Sequence, residues 1–206
     1  MWSVSLLFWF ACAIVFFWAL GAYNRLVRLR AAVRNTFAAL DEQLLRQIVW
    51  VQGSVPADMR GLVTMAGEAE DAAEVAWRRL YAASEQFAVA LAQVRANTID
   101  GTSSASLFMA HSAMAHAWEG ALREAVSPDD EVPADRLQAR WVALLHEALP
   151  LQDVFNRAVE TYNAAIGQFP AVILAKMVGF RPAGLIGRLV PDHLSDTDLV
   201  NERSGV

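Results

Sequence analysis

Residues 2–23 form one apolar run without a charged side chain. From Leu26 the pattern changes to an apolar position every three or four residues: Leu26, Leu29, Val33, Phe37, Leu40, Leu44, Ile48 and Val51. The mean step is about 3.6 residues, the period of one helical face. The first segment predicts a transmembrane helix, because about 22 residues at about 1.5 Å each give about 33 Å, against a hydrocarbon core of about 30 Å. Trp2 at one end and Trp18 with Tyr23 at the other suit the headgroup level. Nothing between Gly21 and Gly53 breaks the helical pattern, so anchor and first soluble helix are expected to be one rod, stopped at Gly53-Ser54-Val55-Pro56.

Three further helical stretches follow. The second is predicted from about Ala57 to Ala96, with Met59, Leu62, Ala66, Ala69, Ala73, Trp77, Leu80, Phe87, Leu91 and Val94 on one side. Residues 97–104, Asn-Thr-Ile-Asp-Gly-Thr-Ser-Ser, read as a turn. The third runs from about Ala105 to Val126, capped by Ser103 or Ser104, and buries Leu107, Phe108, Met114, Trp118 and Leu122. Residues 127–133, with two prolines, separate it from a fourth stretch carrying Leu137, Trp141, Leu144, Leu145, Val154, Phe155, Val159, Tyr162 and Ile166. Pro150 lies inside that stretch and predicts a kink or short break near Leu149. Residues 171–180 are apolar but too short to span a bilayer, and are expected to cap the bundle or lie at its end. The resulting fold class is all-α: one transmembrane helix continuing into an antiparallel bundle of about four long helices. The expected divisions are an anchor (1–23), a helical bundle (24–180) and a mobile tail (181–206) that mixes Pro, Gly, Asp and Ser.

Charge sets the orientation. Arg25, Arg28, Arg30 and Arg34 follow the apolar run with no acid before Asp41. The positive-inside bias then places the body in the cytoplasm. All 22 acids but only 13 of the 17 basic residues lie from Asp41 onward, a net charge of −9 for that part. Such a body repels nucleic acid and anionic lipid, while the arginine cluster attracts the latter. A cleaved signal peptide, with Leu20-Gly21-Ala22 as the processing region, fits less well, because no basic side chain precedes the apolar run and the run is too long. Cys12 is the single cysteine, which excludes an intramolecular disulfide. The residues before it lack the aliphatic side chain of a lipobox, so a lipid-facing or packed thiol is expected.

Catalytic chemistry finds little footing. His111, His116, His146 and His193 include no pair three or four apart, the spacing that would set two imidazoles on one helix face. His146-Glu147 starts like a zincin motif, but Pro150 stands where the second histidine belongs. Glu-x-x-His, required by di-metal carboxylate bundles, does not occur. Glu68, Glu70, Asp71 and Glu74 read as a solvated acidic face. No phosphate-cradling glycine loop or nucleophile elbow is present. Catalytic, cofactor-binding and metal-binding residues are therefore all expected to be absent. Phe155-Asn156 and Tyr162-Asn163 are seven apart, nearly on one helix face, and Tyr23-Asn24 repeats the dipeptide. Either the rings pack in the bundle while the amides bond a neighbouring helix or loop, or the amides line a ligand site; the first reading is the simpler.

Tyr23-Asn24-Arg25-Leu26-Val27-Arg28-Leu29-Arg30 with Val33, Asp41, Gln43, Leu44 and Arg46 resembles the opening of LemA family proteins. Residues 155–163, Phe-Asn-Arg-Ala-Val-Glu-Thr-Tyr-Asn, followed by Phe169-Pro170, Ala175 and Gly179-Phe180, are similar to that family's closing pattern. The two blocks bracket residues 23–180. The resemblance implies a bacterial, single-pass membrane protein with a long antiparallel bundle, in a family whose biochemical role is largely undefined. The chain departs from the pattern after Arg46, where Gln47-Ile48-Val49-Trp50-Val51-Gln52-Gly53 replaces further basic residues, an acid and a Pro-Asn-Leu-Val-like step.

The function expected from the residues is that of a membrane-anchored interaction or scaffold protein without catalytic activity. It would be held in the bilayer by residues 2–23 and act through a protein partner or self-association. The alternative is an accessory or regulatory subunit of a membrane protease or envelope-stress complex. Nucleic acid and a small-molecule substrate are not expected partners.

Overall fold

The computed structural model describes residues 2–60, 71–125 and 134–190. The described residues are all-α, with five α-helices: α1 (Trp2–Ser54), α2 (Ala72–Ala96), α3 (Gly101–Ala125), α4 (Ala134–Gly167) and α5 (Ala171–Val178), with a 3-10 turn at Ala57–Arg60 between α1 and α2. The expected rod is present. α1 is a single helix of 53 residues, about 80 Å long at 1.5 Å per residue.

Its two halves face different surroundings. The side chains from Leu6 to Phe17 are exposed, Trp9 by 70%, and this is the one described helix long and apolar enough to cross a membrane. Beyond it, Leu26, Val33, Phe37, Leu40, Leu44, Ile48, Val51 and Val55 are buried. Seven of these belong to the predicted stripe, and Leu29, its remaining member, is partly buried against the same core.

α1 and α4 pack antiparallel along most of their shared length. Phe37 meets Phe155 with ring centroids 5.7 Å apart, Gln47 Nε2 donates to the Leu144 carbonyl at 2.9 Å, and Trp50 stacks on Trp141 at 6.5 Å. α2 returns beside α1, tied by Arg95 to Asp41 at 2.6 Å and by Gln52 to Glu85 at 2.6 Å. The largest core side chains gather where α1 ends: Trp50 and Trp118 lie 4.8 Å apart and Trp118 and Trp141 5.6 Å. Arg60 closes that end by donating to the carbonyl of Val55, just past α1, at 2.8 Å and to that of Gly53, in its last turn, at 3.1 Å, where helix carbonyls lack a partner within the helix.

Several expectations need correction. Pro56 is followed by a 3-10 turn, and α2 begins at Ala72 rather than near Ala57; Leu62, Ala66 and Ala69 lie outside the described residues, as does the side chain of Met59. α3 starts at Gly101, not Ala105, because the cap is Asp100: its carboxylate accepts from the Thr102 hydroxyl at 2.6 Å, the Ser103 hydroxyl at 2.9 Å and the Thr102 amide at 3.3 Å. Those bonds, the two hydroxyls foremost, hold the Asp100 carboxyl below its usual pKa.

Pro150 does not break α4. One proline costs an interior helix about 3 kcal/mol or more, but Leu144, Leu145, Ala148, Gln152 and Phe155 on either side of it are buried, and tertiary burial dominates helix stability. Val154, expected in the core, is 51% exposed. The separating segment 127–133 lies outside the described residues.

The tail does not begin at Arg181. Residues 181–190 form no helix or strand but are packed on the bundle, with Ala183, Ile186, Leu189 and Val190 buried. Only residues 191–206, which lie outside the described part, are left to the expected tail.

Candidate functional site

Polar side chains concentrate in two places, a core cluster in the far half of the bundle and the corner where α4, α5 and residues 181–190 meet α1. The core cluster is centred on His111, 1% exposed. Its ring stacks on Trp141 with centroids 6.3 Å apart and meets Phe87 edge-on at 5.1 Å. His111 Nε2 lies 3.2 Å from Gln47 Oε1. Because the Gln47 amide nitrogen donates to the Leu144 carbonyl, its oxygen must face the histidine, so Nε2–H is the donor and the neutral tautomer is fixed. Burial among the rings pushes the imidazole pKa down to about 4. Gln43 Nε2 extends the cluster to the carboxylate of Glu147 at 2.9 Å, which also faces Arg140 at 3.6 Å.

Within residues 47–53, Gln47 supplies the amide that orients His111 and Trp50 the ring that packs on Trp118 and Trp141. Gln47, Ile48 and Val51 of this segment are buried, while Val49 is exposed.

The other titratable candidates are scattered. His116 is exposed and lies 4.0 Å from Glu119, one turn away on α3; His146 is on α4 and His193 lies outside the described residues. Of the acidic face, Glu74 pairs with Arg78, Asp71 precedes α2, and Glu68 and Glu70 are outside the described residues. Among the described residues no three His, Cys, Asp or Glu side chains converge as a metal-binding group.

At the α4–α5 corner the aromatic-Asn pairs take the roles the packing reading assigned. Phe155 and Tyr162 are fully buried, while the amides on α4 grip residues 181–190. Asn163 exchanges two hydrogen bonds with the Ala183 backbone, at 2.9 and 2.8 Å. Asn156 does the same with Ile186 at 2.9 and 3.0 Å. Gln152 donates to the carbonyls of Ile186 and Gly187 at 3.1 and 2.6 Å and accepts from the Leu189 amide at 3.2 Å. The Tyr162 hydroxyl donates to the Arg181 carbonyl at 2.9 Å.

The spacing explains the fit. The α4 amides reach the backbone at Ala183, Ile186 and Leu189, every third residue of the segment. Asn156 and Asn163 stand about 10.5 Å apart along α4, and the longer Gln152 side chain reaches on to Leu189. The other side of the segment meets α3. A Cβ on Gly184 would sit 2.4 Å from the Gly101 Cα, so that glycine is required by close backbone approach, while one on Gly187 would sit 2.8 Å from the Phe108 ring and displace it. Tyr23-Asn24 does not share this role: both residues are exposed, with the Tyr23 ring 6.2 Å from Phe180.

Removing the Asn163 amide takes the partners from the N–H and C=O of Ala183, and removing that of Asn156 takes the partner from the Ile186 N–H, whose carbonyl keeps Gln152, a loss of about 1–3 kcal/mol. Asn163→Ala and Asn156→Ala are each expected to lower unfolding stability by that amount and to speed amide hydrogen exchange at Ala183 and Ile186. Unchanged exchange at both amides would show that the ladder does not hold the segment.

Beside the ladder, a pocket of about 400 Å³ is lined by Arg30, Arg181, Tyr162, Asp100 and Gly101 among others. Arg30 places its guanidinium 5.9 Å above the Phe180 ring, a cation–π contact. Tyr162 has its pKa raised by burial, opposed in part by the charge of Arg30. Two guanidiniums outweigh one carboxylate whose oxygens already cap α3, so the pocket is cationic and holds no free general base. A second groove, of about 370 Å³, separates Phe17, Trp18 and Arg25 of α1 from Gln168, Phe169 and Pro170. The sequence did not reveal that residues 181–190 join this corner; the combination of amides at 152, 156 and 163 with glycines three apart at 184 and 187 is the signal that could have.

No family model, curated protein or solved structure matches this chain.

Proposed function

We propose that the protein is a membrane-anchored helical interaction module of the LemA type, held in a bacterial cell membrane by residues 2–23 with its body in the cytoplasm. The observation that carries this reading is the division of α1: one helix presents an unburied apolar surface over its first third and supplies a whole face of the core over the rest. An exposed apolar surface of this extent is untenable in water, and the absence of any break makes a rigid mount of what would otherwise be a tether.

The LemA resemblance rests on the two sequence blocks. The structure gives the second of them a physical task, because Asn156 and Asn163 are the amides that hold residues 181–190. The polar core supports a non-catalytic role as well. Gln47, His111, Gln152, Asn156 and Asn163 direct their hydrogen bonds at the chain itself rather than into an open cleft.

The test is crosslinking in native membranes followed by detergent purification, with a photoreactive residue at the exposed Val49 of α1. One polypeptide, or a second copy of this chain, recovered at constant stoichiometry is the expected outcome. A stoichiometric protease or other enzyme would identify the accessory-subunit alternative. Recovery of no crosslinked polypeptide would remove the interaction reading.

A further inference from the structure

The short helix α5 carries an apolar stripe that the fold leaves uncovered. Ile173 and Met177, one turn apart on α5, are 54% and 81% exposed, and Phe169 in the turn just before the helix is 80% exposed. Ala175, on another side of the helix, is buried, so α5 is docked on the bundle with its stripe turned outward. Large side chains this exposed, gathered on and just before one short helix, mark a contact surface rather than ordinary scatter.

The level of α5 along the rod identifies what covers it. The Phe169-Pro170 end lies across a groove from Phe17, Trp18 and Arg25, and the other end brings Phe180 against Tyr23 and beneath Arg30. Along α1 these positions are where the uncharged run gives way to the arginine cluster. That transition is the headgroup boundary of any bilayer that α1 crosses. Lys176 and Arg181, both exposed, add cations at the same level, where anionic headgroups attract them.

We propose that α5 is an interfacial helix, seated at the headgroup level of the membrane with Ile173, Met177 and the preceding Phe169 buried at the boundary of headgroups and acyl chains. The occupant of the stripe is the lipid surface itself. This proposal rests on α1 spanning the bilayer and adds a second point of contact. A rod held at one point can tilt and spin about its axis; α5, standing off that axis, fixes the face that the bundle turns to the membrane. Interfacial helices of this kind insert their apolar face about 5–10 Å below the surface.

Spin-label depth measurement on the full chain tests it. Cys12→Ala removes the native thiol, and single cysteines are placed at Ile173 and Met177 on the stripe, at Val15 in the span and at Val89 on exposed α2. Each labelled protein is reconstituted in vesicles of phosphatidylcholine and phosphatidylglycerol, and collision with oxygen is compared with collision with a water-soluble nickel chelate. Labels at Ile173 and Met177 are expected to favour oxygen at least threefold more than the label at Val89, with Val15 deeper still. Stripe labels that match Val89 while Val15 is deep would overturn the interfacial helix and leave the anchor standing. A Val15 label freely met by the chelate would overturn both. Stripe labels shielded from both reagents and broadened by mutual proximity would show a second copy as the occupant, which also overturns the proposal.

Discussion

Trp141→Ala is expected to cost about 3–5 kcal/mol, the range for truncating a fully buried aromatic side chain. The Trp141 ring is 1% exposed, and its neighbours are the rings of Trp118, Trp50 and His111 within 6.5 Å. None of these can fold into the vacated space without leaving another gap, because an interior is packed like a crystal. Losses on this scale lower the thermal midpoint of a body of this size by roughly 10 °C. Unfolding of the detergent-solubilised full chain measures it, with Val154→Ala on the same helix as reference. Val154 is exposed and its truncation is expected to stay within about 0.5 kcal/mol. Equal losses at both positions would mean that the tryptophan cluster is not the core of the far half. Trp118→Ala belongs to the same class, with the added loss of its indole donor to Gln138 at 3.2 Å.

The second large effect is pH dependence. His111 titrates at about 4 in the folded protein against 6.5 when unfolded. The unfolded chain therefore binds the extra proton first, and stability contributed by the neutral imidazole is complete above pH 6.5 and lost as pH falls from there toward 4. The full difference corresponds to about 3 kcal/mol. His111→Gln, which cannot titrate but keeps an amide to face Gln47, is expected to flatten the stability profile across that window. Carboxylates also protonate there, so the quantity to compare is the difference in slope between the two proteins. Parallel profiles would show that His111 becomes protonated without unfolding and is not sealed among Trp141 and Phe87.

Much of the fold was legible in the sequence where burial imposes one helical period. The stripe from Leu26 to Val51 identified the core face of α1, and Trp77, Leu80, Phe87, Leu91 and Val94 did so for α2. Where the period fails, local chemistry had to be guessed. Gly101-Thr102-Ser103-Ser104 looks like a turn because these residues propagate helix poorly, yet Asp100 draws two of their hydroxyls and an amide into a cap. Pro150 looked like a breaker because the sequence does not display the α1 surface that holds α4 together on both sides of it. The segment 181–190 was hardest. Its repeat is neither two nor 3.6 residues, and its backbone partners are side-chain amides on α4. The candidate site shares that difficulty: the aromatic-Asn pairs could be singled out, but what the amides hold is a stretch of chain that reads as a loose tail.

Intact-mass measurement of the protein retained in membranes after an alkaline carbonate wash tests the central claim most directly. An anchor continuous with the bundle will leave the chain in the membrane pellet at its full 22.6 kDa. Release into the wash, or a retained species shortened to begin after Ala22, would contradict it.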